Sequence, residues 1–137
     1  MRAPVDPGEL LPPALEGGRE QLGANLVRTF LAVWDGPARP AALALVRSAV
    51  GNEWTAKLLR EFLVSQVLRR VFVTLDLPAD ELEARGALVA SQLIGVVMAR
   101  YVLRLEPLAS ATHDSLVASL GPTLQRYLTG DVELQGR

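Results

Sequence analysis

The sequence predicts an all-α fold, a helical bundle of about five helices, and three observations lead to this class. No stretch alternates apolar and polar residues with the period of two that β-strands show. Prolines and glycines divide the chain into segments in which apolar residues recur every three or four positions, as on one face of a helix. Aromatic residues make up only 5% of the chain, and the abundant alanine, leucine and valine suit closely packed helices.

The positions of the breakers give the order of the elements. Pro4, Pro7, Pro12 and Pro13 prevent a continuous helix at the start, so residues 1–18 are expected to be an irregular lead-in. One domain over residues 19–130 and a short tail over 131–137 complete the chain. Within the domain, helices are predicted over residues 19–34, 41–50, 53–75, 80–105 and 113–128. The apolar face of the first helix is predicted to consist of Leu22, Leu26, Phe30 and Val33.

Local signals support these boundaries. The Asp-Gly-Pro stretch at 35–37 stops the first helix, and Thr112 is a suitable N-cap for the fifth. Asp80 and Glu81 stand in the first turn of the fourth helix, where acidic groups complement the helix dipole. Pro122 falls inside the fifth helix and is expected to bend or split it, because proline removes a backbone donor.

The fourth helix is the most informative segment because it has no fully polar side through its middle. From Leu88 to Ala99 the only polar side chains are those of Ser91 and Gln92. A helix that is apolar nearly all round is buried on both sides, and a chain of 137 residues has little material with which to wrap it. We therefore expect one side to pack on its own domain and the other on a second copy.

A row of small residues on this helix points to the contact between copies. Ala87, Ser91, Gly95 and Ala99 recur every four residues and lie on one side of the helix. Small residues at this spacing allow a second backbone to come close. Gly95 costs about 1 kcal/mol of helix propensity relative to alanine, which suggests a packing reason for it. The alternative is that the row seats a neighbouring helix of the same chain.

Composition and charge exclude several classes of function. With 14 basic and 15 acidic residues, well mixed, the net charge is −1, and no cluster of Lys and Arg suits nucleic acid. There is no cysteine for disulfides or thiolate metal sites, and no signal sequence follows Met1. The apolar run over residues 86–99 is shorter than the roughly 20 residues that span a bilayer. We expect a soluble, cytoplasmic protein that does not use a membrane.

No pattern indicates an enzyme. Ser115 and Ser119 lack a nucleophile elbow, and no phosphate-binding loop is present. His113 is the only histidine, has no local partners for a metal site and is expected at the surface. Arg100 and Arg104 are expected to ring the buried zone with exposed charge. The sequence therefore predicts no catalytic residues, no metal and no cofactor.

The order of these segments resembles a known family. The helix ending in AVWDGP, the helix with LLREFLVSQVLRRVF and, most specifically, the segments ARYVLRLEPLAS and GPTLQRYLTG are similar to the C-terminal, ligand-binding half of TetR-family transcriptional repressors. The resemblance covers residues 19–130. The family's N-terminal helix-turn-helix is absent from this chain, so DNA binding is expected only through a missing N-terminal head. A fragment of a longer repressor and a natural headless domain both remain open.

The resemblance implies an effector-binding and dimerisation domain. In this family the last two long helices of each subunit pair as a four-helix bundle, here residues 78–104 and 112–128, which agrees with the row of small residues. The predicted homodimer interface comprises Ala87, Ser91, Gly95, Ala99, Leu116, Leu120 and Leu124. The remaining helices would enclose a pocket for a small apolar effector, whose binding changes the spacing of two DNA-reading heads.

The candidates for that pocket are a few polar residues that would fix the orientation of a ligand and several apolar residues that would form the walls, since such sites are mostly apolar. The candidates are Asn25, Phe30, Trp34, Trp54, Phe62, Gln66, Gln92, Met98 and Tyr101. Alternatively, Gln92 bonds across the dimer or to a backbone carbonyl, Trp54 covers a helix joint, and Phe62 and Met98 belong to the core. The leading hypothesis is a repressor's regulatory domain; the alternative is a ligand-free helical dimerisation module.

Overall fold

A computed structural model of the chain describes residues 17–64, 75 and 77–134, which are helical apart from turns and connections, with no strand among them. A short 3₁₀ turn, Arg19–Gln21, precedes the first helix. The helices are α1 (Leu22–Trp34), α2 (Arg39–Gly51), α3 (Glu53–Phe62), α4 (Ala79–Val97, continued by a π-helical turn over Met98–Val102) and α5 (His113–Thr129). The prediction of an all-α bundle of about five helices is confirmed.

Side-chain caps fix two of the helix starts. Thr112 is the N-cap of α5 as predicted, and its hydroxyl accepts a hydrogen bond from the Ser115 amide at 3.2 Å. Asn52, the single residue between α2 and α3, is the N-cap of α3, and its side chain accepts a hydrogen bond from the Thr55 amide at 3.1 Å. Each cap satisfies a backbone donor that the first turn of a helix leaves unpaired.

The buried core lies where α1, α4 and α5 meet. On α1 the fully buried positions are Leu22, Val27 and Leu31, whereas Leu26 and Phe30 of the predicted face lie at its edge. Val89 of α4 is completely buried against them. The other core residues are Leu75 and, on α5, Leu116, Val117, Leu124 and Leu128.

The closest crossing in this core joins α1 and α5. A Cβ placed on Gly23 would lie 2.7 Å from the backbone nitrogen of Gln125, so only glycine fits there. Gln125 completes the joint, because its side-chain oxygen accepts from the Gly23 amide and its nitrogen donates to the Arg19 carbonyl, both at 2.7 Å. The first and last helices are thus tied together at the start of α1.

Arg85 ties α4 to the end of α5. This arginine is 8% exposed, and its guanidinium donates to the carbonyls of Tyr127 at 2.9 Å and Gly130 at 2.7 Å. Its Nε donates to Glu81 one turn away on α4 at 3.0 Å. The last carbonyls of a helix lack intrahelical donors, so a buried arginine both satisfies them and fixes the two helices.

The fifth helix is continuous across its internal proline. Pro122 does not split the fifth helix, which runs unbroken from His113 to Thr129. The proline lies on the exposed side, while Gly121 and Leu124 beside it are held in the core, so packing maintains the helix across the missing donor. The predicted third helix, 53–75, is α-helical as α3 up to Phe62, and because most of its second half lies outside the described residues, its predicted end stays a prediction.

By length and composition alone, the helical run Ala79–Val102 could cross a membrane, since it is 24 residues long and carries few charges. This run is longer than the apolar stretch over residues 86–99 because the helix extends beyond Arg85 at one end and beyond Arg100 at the other. A core helix of a soluble protein passes the same test, so this finding is weak evidence for a membrane span.

Candidate functional site

The outward side of α4 is the first candidate surface. Ile94 is 48% exposed, Ala87 and Ser91 are also exposed, and a Cβ on Gly95 would meet no atom within 4 Å. The opposite side of the same helix is buried, with Val89 fully inaccessible. Within the described part of this chain, no neighbouring residue explains a glycine at position 95. One side of α4 is buried in the protomer, as predicted, and the other side is open.

The polar member of this row is already satisfied within the helix. The Ser91 hydroxyl donates to the carbonyl of Leu88 at 2.7 Å, so this surface presents no unpaired hydroxyl donor to a partner. Ala99, the last member of the predicted row, is half-buried near the π-helical turn. The exposed part of the row thus consists of Ala87, Ser91 and Gly95, with Ile94 beside them.

The predicted interface leucines of the fifth helix occupy a different place. Leu116 and Leu124 are 3% and 1% exposed in the protomer's own core, and Leu120 packs against that core from its edge. The outward side of α5 consists instead of small and polar residues, namely Ser115, Ala118, Ser119, Pro122, Thr123 and Arg126. The assignment of the three leucines to an interface stays a prediction, and any contact through α5 must involve the outward side as well.

Three of the pocket candidates form one aromatic cluster between α1 and α4. The ring centroids of Phe30 and Trp34 are 5.9 Å apart, and Trp34 stacks on Tyr101 with centroids 5.5 Å apart and an angle of 22° between the rings. We call Phe30, Trp34 and Tyr101 the aromatic cluster. Such offset pairs stabilise by about 1 kcal/mol beyond the burial of their area.

The other pocket candidates do not join this cluster. Trp54 is 65% exposed on α3, where the Lys57 ammonium lies 6.0 Å from its ring centroid, and its ring is not paired with any ring of the aromatic cluster. Asn25, Phe62, Gln92 and Met98 are half-buried. Gln66 lies outside the described residues. Whether any of these residues contacts a ligand stays a prediction.

A cluster of ionic and polar groups surrounds Asp35, directly after Trp34. Its carboxylate accepts from the Tyr101 hydroxyl and from Arg100, both at 2.8 Å, and lies 2.5 Å from Nε2 of His113. Arg39, at the start of α2, is 4.0 Å away. We call these five residues the Asp35 cluster; it joins α1, α2, the π-helical turn and the first residue of α5.

Arg100 extends the Asp35 cluster into the connection before α5. Its second terminal nitrogen donates to the carbonyls of Leu108 at 2.8 Å and Ala111 at 3.1 Å. Its Nε is buried and has no hydrogen-bond partner among the described residues. The π-helical turn places this side chain, because the Leu103 amide reaches back five residues to the Met98 carbonyl and the widened turn directs Arg100 and Tyr101 toward Asp35.

The protonation states of the cluster follow from these contacts. Burial alone would raise the pKa of Asp35, but hydrogen bonds from Arg100, Tyr101 and His113 outweigh it and lower the pKa from 3.8 to about 2. Burial and the hydrogen bond to the Asp35 carboxylate raise the pKa of the Tyr101 phenol to about 12. Burial opposes the charge of Arg100, yet the bond to Asp35 raises its pKa overall. Asp35 is therefore a carboxylate and Tyr101 a neutral donor at neutral pH.

Sequence reasoning missed this cluster. Asp35 was read only as part of a helix stop, and Arg100 was expected in an exposed ring, which is wrong because its side chain is 9% exposed. His113 is partly exposed, as expected, but has a specific partner 78 residues away in sequence. The one available signal was the Arg-Tyr pair at the end of an apolar helix, since both side chains need polar partners when buried.

The described part of the chain shows neither a metal site nor a nucleophile paired with a base. No group of three His, Cys, Asp or Glu side chains there could hold a metal ion. The Asp35 cluster contains one carboxylate and one imidazole, and its carboxylate is already neutralised by Arg100. Its geometry is that of a structural joint beside an aromatic surface.

Comparison with known proteins identifies the family. Residues 20–128 match the family described as the tetracycline repressor-like C-terminal domain. A crystal structure of a TetR-family regulator from Streptomyces coelicolor A3 is similar over 92% of this chain and 83% of that chain, with 32% identity and a TM-score of 0.63. No curated protein sequence matches the chain.

The chain therefore belongs to the TetR family of transcription regulators and carries its C-terminal domain. The resemblance seen in the sequence and the predicted fold class are both confirmed. Members of this family regulate transcription and are not enzymes, so the function of the domain is regulatory.

Proposed function

We propose that this domain is the effector-binding and dimerisation part of a TetR-like repressor. In this proposal it binds a small apolar molecule in the cytoplasm and transmits that binding to DNA-reading heads outside this chain. Binding can act only to the extent that the effector prefers one geometry of the subunits over another. The dimer is the central part of the proposal because every later step depends on it.

The observation that carries the proposal is the open, apolar outward side of α4. Ile94 and Gly95 face solvent in the middle of a helix whose other side is fully packed. Exposed apolar residues on such a helix are typical of a contact with another protein surface. Because Gly95 offers no side chain, a second backbone could approach closely at this point.

The aromatic cluster supports the effector site. Phe30, Trp34 and Tyr101 bring three rings together at the junction of α1 and α4, next to the helix proposed for the dimer contact. Pockets for apolar ligands are lined mostly by such side chains, with a few polar groups that set orientation. Native mass spectrometry of the purified chain distinguishes this function from a ligand-free dimerisation module, since a retained small molecule adds mass to the dimer.

Disulfide cross-linking tests the proposed contact directly, because the chain has no cysteine of its own. A cysteine at Ser91, on the outward side of α4, should form a disulfide-linked dimer under mild oxidation. A cysteine at Ser48, exposed on α2, is the matched control and should remain monomeric on denaturing gels. Equal cross-linking of the two variants, or none at position 91 despite a dimer in solution, would place the contact elsewhere.

A further inference from the structure

Two consecutive residues, the last residue of α1 and its C-cap, hold the ring and the hydroxyl of Tyr101. The Trp34 ring stacks on the Tyr101 ring, and the Asp35 carboxylate accepts the Tyr101 hydroxyl at 2.8 Å. A molecule that packs against the aromatic cluster and displaces the Trp34 or Tyr101 ring must therefore also disturb the bonds of Asp35. Tyr101 is the one residue that belongs to both the aromatic cluster and the Asp35 cluster.

Asp35 in turn contacts both helices of the proposed interface. Arg100 belongs to the π-helical end of α4, and His113 is the first residue of α5. The same arginine holds the carbonyls of Leu108 and Ala111 in the connection between those helices. One carboxylate thus sets the position of the end of α1 relative to α4, to α5 and to the segment that joins them.

The other end of α1 is fixed by backbone contact. Gly23 meets Gly121 and Gln125 of α5 without room for a methyl group, and Gln125 bonds the Gly23 amide. Gly23 and Asp35 are separated by twelve positions of helix, about 18 Å at 1.5 Å per residue. Between these two ends, Val27 and Leu31 are fully buried in the core, so release of the bonds at Asp35 frees only the C-terminal end of α1 and the attached α2.

We propose that the Asp35 cluster couples the aromatic cluster to the geometry of the dimer. A ligand that displaces the Trp34–Tyr101 pair releases Asp35, and the C-terminal end of α1 with α2 then shifts relative to the interface helices α4 and α5. This inference rests on the proposed function, because it needs both a ligand at the aromatic cluster and a dimer through α4. What it adds is that Asp35 is a positioning residue, so that replacing Asp35 changes the arrangement of the two protomers in the dimer.

Distance measurement between two protomers tests this coupling. A cysteine at the exposed Arg47 of α2 accepts one nitroxide label per chain, since no other cysteine is present. Double electron–electron resonance then reports the label-to-label distance in the dimer. For Asp35→Asn we expect the mean distance to change by on the order of 3 Å, which corresponds to α2 turning by about 10° about its start in each protomer.

Two further variants complete the design. Trp34→Leu disturbs only the aromatic end and should move the distance in the same direction as Asp35→Asn. Asp114→Asn is the matched control, because it removes the exposed Arg28–Asp114 ion pair, which also joins α1 to α5 at 3.0 Å; it should leave the distance unchanged. If Asp35→Asn does not fold, Tyr101→Phe, which removes one hydroxyl and keeps the ring, takes its place with the same expectation.

The outcomes separate the coupling from the proposed function. A distance unchanged in Asp35→Asn, or changed equally in Asp114→Asn, overturns the coupling while leaving the dimer intact. A shift in Asp35→Asn with none in Trp34→Leu also overturns it, because the aromatic end would then be independent. Absence of any inter-protomer signal in the labelled Arg47→Cys domain without further substitution overturns the proposed dimer itself.

Discussion

Gly23 of α1 and Gly121 of α5 meet backbone against backbone, so the first and last helices cross with no side chain between them. A Cβ on Gly23 would contact the Gly121 carbonyl oxygen and lie 2.7 Å from the Gln125 nitrogen. A Cβ on Gly121 would be 3.4 Å from the Cα of Ala24, which is tight but possible. The constraint is therefore strongest at position 23.

Gly23→Ala should lower the free energy of unfolding by about 2 to 3 kcal/mol, because the added methyl group must push two backbones apart. Urea denaturation followed by circular dichroism measures this change. Gly51→Ala is the matched control, since nothing lies within 4 Å of a Cβ there; its effect should stay within about 1 kcal/mol. Equal effects of the two substitutions would show that α1 and α5 do not cross as described.

Arg85→Lys should destabilise the domain by about 2 kcal/mol even though the charge is kept. A single ammonium cannot reproduce the planar set of donors that reaches Tyr127, Gly130 and Glu81 together. Urea unfolding is again the measurement, with the exposed Arg47→Lys as the control. A loss no larger than that of the control would mean that the guanidinium does not hold the end of α5.

Acid should weaken the contribution of Asp35 in a defined window. Because its pKa is lowered from 3.8 to about 2, the stabilisation is complete above pH 4 and is lost as the pH falls toward 2. The difference in unfolding free energy between the unsubstituted domain and Asp35→Asn should therefore shrink over that range, by about 1 kcal/mol, because solvent screens the ion pairs of this partly exposed carboxylate. The effects of protonating the other carboxylates are the same in both chains and therefore cancel in this difference. A difference that is constant from pH 5 to pH 2 would contradict the Asp35 contacts.

Tryptophan fluorescence should report ligands at the aromatic cluster. The chain has two tryptophans, of which Trp54 is 65% exposed and Trp34 stacks on Tyr101. In Trp54→Phe only Trp34 remains, and titration with 1-anilinonaphthalene-8-sulfonate, an anionic probe whose aromatic part binds apolar sites, should quench it by energy transfer and saturate. Trp34→Phe, which retains Trp54, is the control. Stronger saturable quenching of Trp54 than of Trp34 would move the ligand site to α3.

The fold was largely predictable because its signals are local. The helix stop at 35–37, the N-cap at Thr112 and the periodicity of apolar residues all act within a few positions of the chain. Pro122 shows the limit of such signals. Proline weakens a helix locally, but the buried neighbours Gly121 and Leu124 hold α5 against the core, and tertiary packing decides the outcome.

The site was less predictable because it depends on contacts that are distant in sequence. Asp35 meets Arg100 and His113, which lie 65 and 78 positions away, and no local pattern pairs them. The buried face of α1 also differs from the predicted one by about one position, since Val27 and Leu31 rather than Val33 reach α5. Small shifts of this kind decide which residues of a helix are free for a ligand or a partner.

The central claim is self-association through the outward side of α4, and the mass in solution of three chains tests it most directly. Sedimentation equilibrium at low micromolar concentration should give a dimer for the unsubstituted domain and for Gly51→Leu, whose site is equally open but lies on α2. Gly95→Leu should weaken the dimer at least tenfold, about 1.4 kcal/mol, by forcing the paired helices apart. A monomeric unsubstituted domain, or a Gly95→Leu dimer as stable as the Gly51→Leu dimer, would contradict the account.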